Sequence, residues 1–125
     1  MRKVVLLALA MALALPAMAR GRLSFPANER WKAECGSCHV AYPPPLLAAA
    51  GWRRLMAQLE RHFGSDASLD AGTAAEIGAF LERYGGRGAD EGLRITQTRW
   101  FRHEHRELRP ENASNCAACH QGDLP

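Results

Sequence analysis

The chain has 125 residues, 47% of them hydrophobic, and a formal net charge of +3 at neutral pH. This length allows one small domain or two very small ones, and so weak a charge is poor support for nucleic-acid binding, which needs a clustered basic face. A chain of this size buries little surface and usually needs disulfides or another covalent or metal cross-link for stability. Its four cysteines therefore require an explanation.

The first 19 residues have the pattern of a secretory signal peptide. Two basic residues precede the uninterrupted apolar run 4–15, Pro16 ends that run, and Ala17-Met18-Ala19 is an Ala-x-Ala cleavage pattern. Twelve apolar residues rise only about 18 Å as a helix, too short for a hydrocarbon core of about 30 Å. We therefore expect cleavage after Ala19, export to the periplasm, and no membrane span in residues 20–125. Loss of the two basic residues lowers the formal charge from +3 to +1.

The next predicted element is a helix that begins at Asn28, a good N-cap residue, and runs into a motif at 35–39. The segment Tyr42-Pro43-Pro44-Pro45 cannot be helical, so an extended loop follows.

All four cysteines lie in two Cys-x-x-Cys-His motifs, Cys35-Gly36-Ser37-Cys38-His39 and Cys116-Ala117-Ala118-Cys119-His120. This is the attachment signature of c-type haem, because two thiols at this spacing can add to the vinyl groups of one porphyrin and the next residue can then bind its iron. The motifs predict two covalently bound haem c groups. The predicted attachment residues are Cys35, Cys38, Cys116 and Cys119, and the predicted proximal iron ligands are His39 and His120.

Three other interpretations of the cysteines are weaker. Thioredoxin-like redox pairs depend on a sheet-based fold, and the sequence has no clear strand pattern. A single zinc site is disfavoured because 77 residues separate Cys38 from Cys116 and because zinc gives no reason for a histidine after each pair. A disulfide within a Cys-x-x-Cys pair closes too small a loop to be a useful staple.

Each iron needs a second axial ligand. Outside the signal peptide, the candidates are Met56, His62, His103 and His105. Two vacancies facing three histidines and one methionine are most simply filled by two histidines. A helix is predicted over residues 52–63, with His62 beside its apolar face near the helix end, so we expect His62 to be a ligand and Met56 to pack in the core.

A third helix is predicted to begin at the cap Asp70 and to end at Gly85-Gly86. The glycine-rich stretch 85–92 then predicts a hinge. The fold class is therefore mainly α, with a helical lobe over residues 20–92 that resembles small class I cytochromes c. Residues 93–125 hold few apolar side chains, and we expect a largely irregular haem-binding segment that packs on this lobe.

The second distal ligand is predicted within residues 99–108. If this segment is helical, Phe101, His105 and Leu108 share one face while His103 points away among charges, which favours His105. An extended segment would leave the choice open, because residues two apart then share a face. The sequence also leaves open which distal histidine serves which haem.

The chain resembles the bacterial dihaem cytochrome c family over nearly all of residues 20–125. The distinctive segments are His62-Phe63-Gly64 and His105-Arg106-Glu107, which accompany the two haem motifs. Both haems are bis-histidine in that family, and the resemblance implies His62 and His105 as the distal ligands. It also implies redox partners, namely a membrane cytochrome b as donor and a small monohaem cytochrome as acceptor.

These features predict a carrier of electrons and not an enzyme. Two imidazoles on one iron leave no open coordination position, and histidine in place of methionine lowers the reduction potential. The alternative is a haem enzyme or gas-binding sensor in which one haem has an open position.

Overall fold

The computed structural model describes residues 23–89 and 92–120. The predicted signal peptide lies outside the described residues. Within them the chain forms four α-helices and no named β-strand, so the fold is mainly α as predicted. The helices are α1 (Glu29–Cys35), α2 (Ala49–Met56), α3 (Ala71–Tyr84) and α4 (Arg99–Glu104). Short 3₁₀ turns and irregular backbone join them, and in this part of the chain no helix has the length and apolar character to span a membrane.

The helices α1 and α3 begin at the two predicted caps. The side chain of Asn28 accepts a hydrogen bond of 2.8 Å from the backbone N–H of Trp31. The Asp70 carboxylate accepts one of 3.0 Å from the backbone N–H of Thr73. Each cap satisfies a backbone donor that the first helical turn leaves without a partner, and this fixes where the helix starts.

The helix predicted over residues 52–63 is too long at its C-terminal end. The helix α2 stops at Met56, Gln58 leaves helical geometry with φ −138°, and a 3₁₀ turn covers Leu59–Arg61. The Leu59 carbonyl accepts hydrogen bonds from the backbone N–H groups of His62 at 3.3 Å and Ala67 at 2.9 Å, so the chain folds back there. His62 is therefore held by a turn and not by a helix.

One hydrophobic core joins the two halves of the described chain. The helices α2 and α3 pack against each other in its centre, and α1 packs on α3 through the rings of Trp31 and Phe80, whose centroids are 5.6 Å apart. Residues from the C-terminal half complete the same cluster. Its buried members are Trp31, Leu47, Trp52, Leu55, Ile77, Phe80, Leu81, Ile95, Phe101 and Ala113.

The proline loop after the first motif is clamped between α2 and the end of α3. The indole N–H of Trp52 donates a buried hydrogen bond of 2.7 Å to the Pro44 carbonyl. The backbone N–H of Gly86 donates to the Leu47 carbonyl at 2.8 Å. A Cβ on Gly86 would lie only 2.5 Å from the Pro45 carbonyl oxygen, so this close approach requires glycine. The loop is thereby held in one place beside the first Cys-x-x-Cys-His motif.

Candidate haem-binding sites

Two clefts contain the predicted site residues. The first has a volume of about 650 Å³ and is lined by Cys35, Cys38, His39 and His62 together with core side chains. The second has a volume of about 340 Å³ and is lined by Cys116, Cys119, His120 and His105. Both volumes fall in the range of about 300–1,000 Å³ that is typical of ligand and cofactor pockets.

The first motif begins on a helix and leaves it. Cys35 is the last residue of α1 and Gly36 is its C-cap. The predicted helix therefore reaches the motif only at Cys35, and Cys38 and His39 lie in the turn beyond it. The Ser37 hydroxyl donates a hydrogen bond of 2.8 Å to the Glu34 carbonyl and tightens this turn. The turn places both cysteines and His39 on the wall of one cleft.

The imidazoles of His39 and His62 face each other across the first cleft. Their centroids are 6.1 Å apart and their planes differ by only 16°. With metal–imidazole bonds of about 2.0–2.1 Å and about 1.2 Å from ring nitrogen to centroid, two imidazoles on opposite sides of one metal have centroids about 6.4 Å apart. The spacing of the pair therefore matches that of two imidazoles bound to one metal.

A hydrogen bond selects the nitrogen of His39 that faces a metal. Its Nδ1 lies 2.7 Å from the Val40 carbonyl oxygen. A carbonyl only accepts, so Nδ1 carries the proton and donates, which leaves Nε2 with a free lone pair.

A turn with unusual backbone geometry holds His62. Phe63 and Gly64 both lie in the left-handed region, with φ of 52° and 98°, and the Ser65 N–H closes the turn on the His62 carbonyl at 3.1 Å. A left-handed conformation costs a residue other than glycine about 1–2 kcal/mol. The Phe63 ring packs edge-on against His62 at 4.9 Å, and the Arg94 guanidinium lies 4.3 Å above the Phe63 ring. These contacts hold the strained turn and fix the direction of the His62 imidazole.

The electrostatics of the first cleft favour neutral side chains. Burial and the neighbouring His39 lower the pKa of His62, which keeps its imidazole in the neutral form that binds metals. Burial, with a smaller effect of Glu34, raises the pKa of the Cys35 thiol to about 11. In the second cleft, burial likewise raises the pKa of Cys116. Thiols of redox-active Cys-x-x-Cys pairs have lowered pKa values, so these shifts speak against a thioredoxin-like function.

The second cleft brings His105 and His120 together. Their centroids are also 6.1 Å apart, but their planes differ by 64°. His105 is the C-cap of α4, where its ring stacks on Phe101 at 4.2 Å and its Nδ1 donates to the Phe101 carbonyl at 3.1 Å. The second motif forms a 3₁₀ turn over Cys116–Ala118, and the His120 N–H donates to the Cys116 carbonyl at 2.8 Å. This spacing fits a second iron by the same argument.

His103 and Met56 occupy different positions. His103 is exposed, with its Nδ1 3.1 Å from Glu104 and its Nε2 2.6 Å from the Arg106 guanidinium, and it does not line either cleft. Met56 lines the first cleft and packs against the core. The structure thus brings His105, and not His103, opposite a motif histidine.

Tyr42 and Ile95 line both clefts, although no pattern in the sequence predicts them as site residues. No pattern predicts a role for Phe63 and Arg94 at the His62 turn either. One signal for Tyr42 is present in the sequence, because three prolines follow it and restrict the backbone on which it sits. Contacts between residues far apart in the chain, such as that between Arg94 and Phe63, leave no pattern in the local sequence that could predict them.

Comparison with known proteins identifies relatives of this chain. The family model described as dihaem cytochrome c matches residues 31–123. A crystal structure of DHC purified from Rhodobacter sphaeroides is 40% identical with a TM-score of 0.69, and the match covers 79% of this chain and 95% of that one.

Two further solved structures are similar. A diheme cytochrome c from Rhodobacter sphaeroides is 36% identical with a TM-score of 0.68, covering 77% of this chain and 92% of that one. The diheme cytochrome type c from Shewanella baltica OS155 is 38% identical with a TM-score of 0.65, covering 77% and 82%. Among curated proteins, none matches the chain significantly. The chain belongs to the dihaem cytochrome c family, and it therefore carries two covalently bound c-type haems.

Proposed function

We propose that this haem electron-transfer protein is a periplasmic carrier in which both irons are six-coordinate between two histidines. The assignment gives His39 and His62 to the haem attached at Cys35 and Cys38. It gives His120 and His105 to the haem attached at Cys116 and Cys119. The observation that carries the proposal is the centroid spacing of 6.1 Å in both histidine pairs.

The proposed ligands restrict what the protein can do. When bound, each haem supplies an iron that changes between the ferric and ferrous states. Two histidines per iron leave no open position at which oxygen or peroxide can bind, so the protein passes electrons and catalyses no reaction of its own. Histidine ligation in place of methionine gives both haems low potentials.

The polypeptide contributes binding and orientation. The cysteines would tether each haem, while the carbonyls of Val40 and Phe101 hold Nδ1 of His39 and His105 and leave Nε2 of each as the nitrogen that would bind iron. Pre-oriented ligands change little between the two oxidation states, which favours rapid electron transfer.

The proposed compartment and partners rest on sequence and family. The signal-peptide pattern in residues 1–19 supports export to the periplasm, where mature protein should begin at Arg20. The family resemblance supports a membrane cytochrome b as donor and a small monohaem cytochrome as acceptor. Arg102 is exposed on α4 beside the second cleft, and a basic side chain there suits docking of an acidic partner.

Carbon monoxide binding tests the ligand assignment. Holoprotein should contain two low-spin haems per chain, and its reduced form should resist carbon monoxide. His62→Ala and His105→Ala should each open one of the two haems to carbon monoxide and turn that haem high-spin, whereas the control His103→Ala should behave as wild type. A wild type that binds carbon monoxide readily, or a His103→Ala variant that opens a haem, would contradict the assignment and favour an enzyme or sensor.

A further inference from the structure

Tyr42 occupies the wall between the two clefts. Together with Ile95 it lines both of them, although it lies only three residues after the first motif and 74 residues before Cys116. Its aromatic ring is half-buried, and its hydroxyl is the polar atom that it brings to this wall. A side chain in this position can act on both sites at once.

The two ends of the Tyr42 side chain contact different sites. Its ring lies against the His39 imidazole with a centroid distance of 5.2 Å and an interplanar angle of 42°. Its hydroxyl end lies near Cys116: both side chains line the second cleft, and each affects the pKa of the other. That sulfur becomes a thioether once the haem is attached, and a thioether keeps a weak acceptor. One side chain thus joins the proximal ligand of the first site to an attachment residue of the second.

The backbone beneath Tyr42 is fixed. A proline follows it, which restricts its own conformation, and the next two residues of the loop, Pro43 and Pro44, are fully buried. The Pro44 carbonyl also accepts the Trp52 indole hydrogen bond of 2.7 Å. The backbone that carries Tyr42 is therefore held in one conformation by the loop itself.

We propose that Tyr42 is a positioning residue shared by the two haem sites. Its ring orients the His39 imidazole at the first site, and its hydroxyl donates a hydrogen bond to the Cys116 sulfur, which raises the reduction potential of the second haem. A hydrogen bond donated to this sulfur withdraws electron density from the attached haem, so it stabilises the reduced state relative to the oxidised state. This inference rests on the proposed bis-histidine carrier.

Two substitutions separate the ring from the hydroxyl. Tyr42→Phe keeps the ring and should leave the electron paramagnetic resonance signal of the first haem unchanged while lowering the potential of the second. When one electron is added per protein, the ratio of molecules reduced at the second haem to molecules reduced at the first should fall by about two- to tenfold. This is the effect of a single net hydrogen bond on an equilibrium. Tyr42→Leu also removes the ring, so it should in addition change the signal of the first haem.

The measurement is a redox titration of each holoprotein, followed by the resonance signal of each haem after its haem content is confirmed as two per chain. The control is Tyr84→Phe, because Tyr84 is the other tyrosine of the chain, packs on Phe80 in α3 and lines neither cleft. It should match wild type. If Tyr42→Phe also matches wild type, or if it shifts both haems equally, the inference is wrong. A wild type that binds carbon monoxide would instead overturn the proposed function, which keeps the two failures distinct.

Discussion

The two candidate haem sites share their ligand types and their histidine spacing but differ in what supports them. The first cleft is lined by buried side chains of three helices, among them Trp31, Trp52 and Leu81. The second is built from α4, which has six residues, and from short turns around Cys116. Part of its wall comes from Tyr42, Pro43 and Leu46, which belong to the first half of the chain.

This difference shows that a covalently attached cofactor can be held by very little regular secondary structure. The first site is a folded lobe whose core side chains line the cleft beside its ligands. The second site is formed by a segment that packs against that lobe, since its core residues Ile95, Phe101 and Ala113 join the core of the first half. We therefore expect the second site to depend on the first more than the first depends on the second, although Arg94 of the C-terminal half packs on Phe63 beside His62.

Removal of each cysteine pair gives the largest test of this dependence. The Cys35→Ser/Cys38→Ser variant should lose helical structure and the low-spin state of its remaining haem, because an empty cleft of about 650 Å³ leaves the core walls without packing partners. The Cys116→Ser/Cys119→Ser variant should keep its helices and one low-spin haem. Far-ultraviolet circular dichroism and the haem absorption spectrum measure both outcomes. Equal losses from the two variants would refute the asymmetry.

The two irons should also differ spectroscopically in the wild type. The imidazole planes are nearly parallel at the first site, at 16°, and steeply crossed at the second, at 64°. Low-spin ferric haem with parallel imidazoles gives a rhombic resonance spectrum, whereas crossed imidazoles give a signal dominated by one large g value. We therefore expect one signal of each kind in equal amounts at low temperature. Two rhombic signals would show that the sites are alike in this respect.

A smaller effect is expected where the loop behind the first site is clamped. Gly86→Ala should lower the free energy of unfolding by about 1–3 kcal/mol, the usual cost of overpacking, because the new Cβ meets the Pro45 carbonyl. Gly88→Ala is the matched control, since a Cβ there meets no atom within 4 Å. Denaturant unfolding of the two holoproteins measures the difference. Indistinguishable variants would mean that the clamp does not contribute to stability.

The smallest effect concerns Asp70, the cap of α3, because this helix contributes Leu81 to the first cleft. Hydrogen bonds from Thr73 lower the pKa of Asp70 below its ordinary value of 3.8. A lowered native pKa means that the carboxylate contributes stability above that value and loses it as the pH falls through the lowered pKa. Asp70→Asn keeps a capping side chain but cannot titrate there. The thermal midpoint of wild type should therefore exceed that of the variant at pH 7, and the gap should shrink below pH 3.8. A gap that is constant with pH would contradict this account.

Local features of the fold were predictable from the sequence. Asn28 and Asp70 mark helix starts because a cap depends only on its own next few residues. The end of α2 was not predictable, because apolar spacing continues through the 3₁₀ turn that contains Leu59 although the helix has stopped. At Gly85 the helix end was predicted, yet the residue is not left-handed, with φ −59°, and glycine is needed because a Cβ would lie 2.9 Å from the backbone of Ala49.

The residues of the candidate site also divide into those that the sequence predicts and those that it does not. Residues within each Cys-x-x-Cys-His motif could be assigned from spacing alone. The choice between His103 and His105 depended on whether 99–108 is helical, and α4 in fact ends at Glu104, so His105 reaches the cleft as a cap residue. The contact of Tyr42 with Cys116 joins residues far apart in the chain, and such a contact has no sequence period to reveal it.

The bonds from His39 and His105 to backbone carbonyls have a further consequence. A carboxylate in the same place could take up a proton as its iron lost an electron, but a carbonyl oxygen cannot. At these two imidazoles, a change in the oxidation state of the iron therefore cannot shift the Nδ1 proton onto its hydrogen-bond partner.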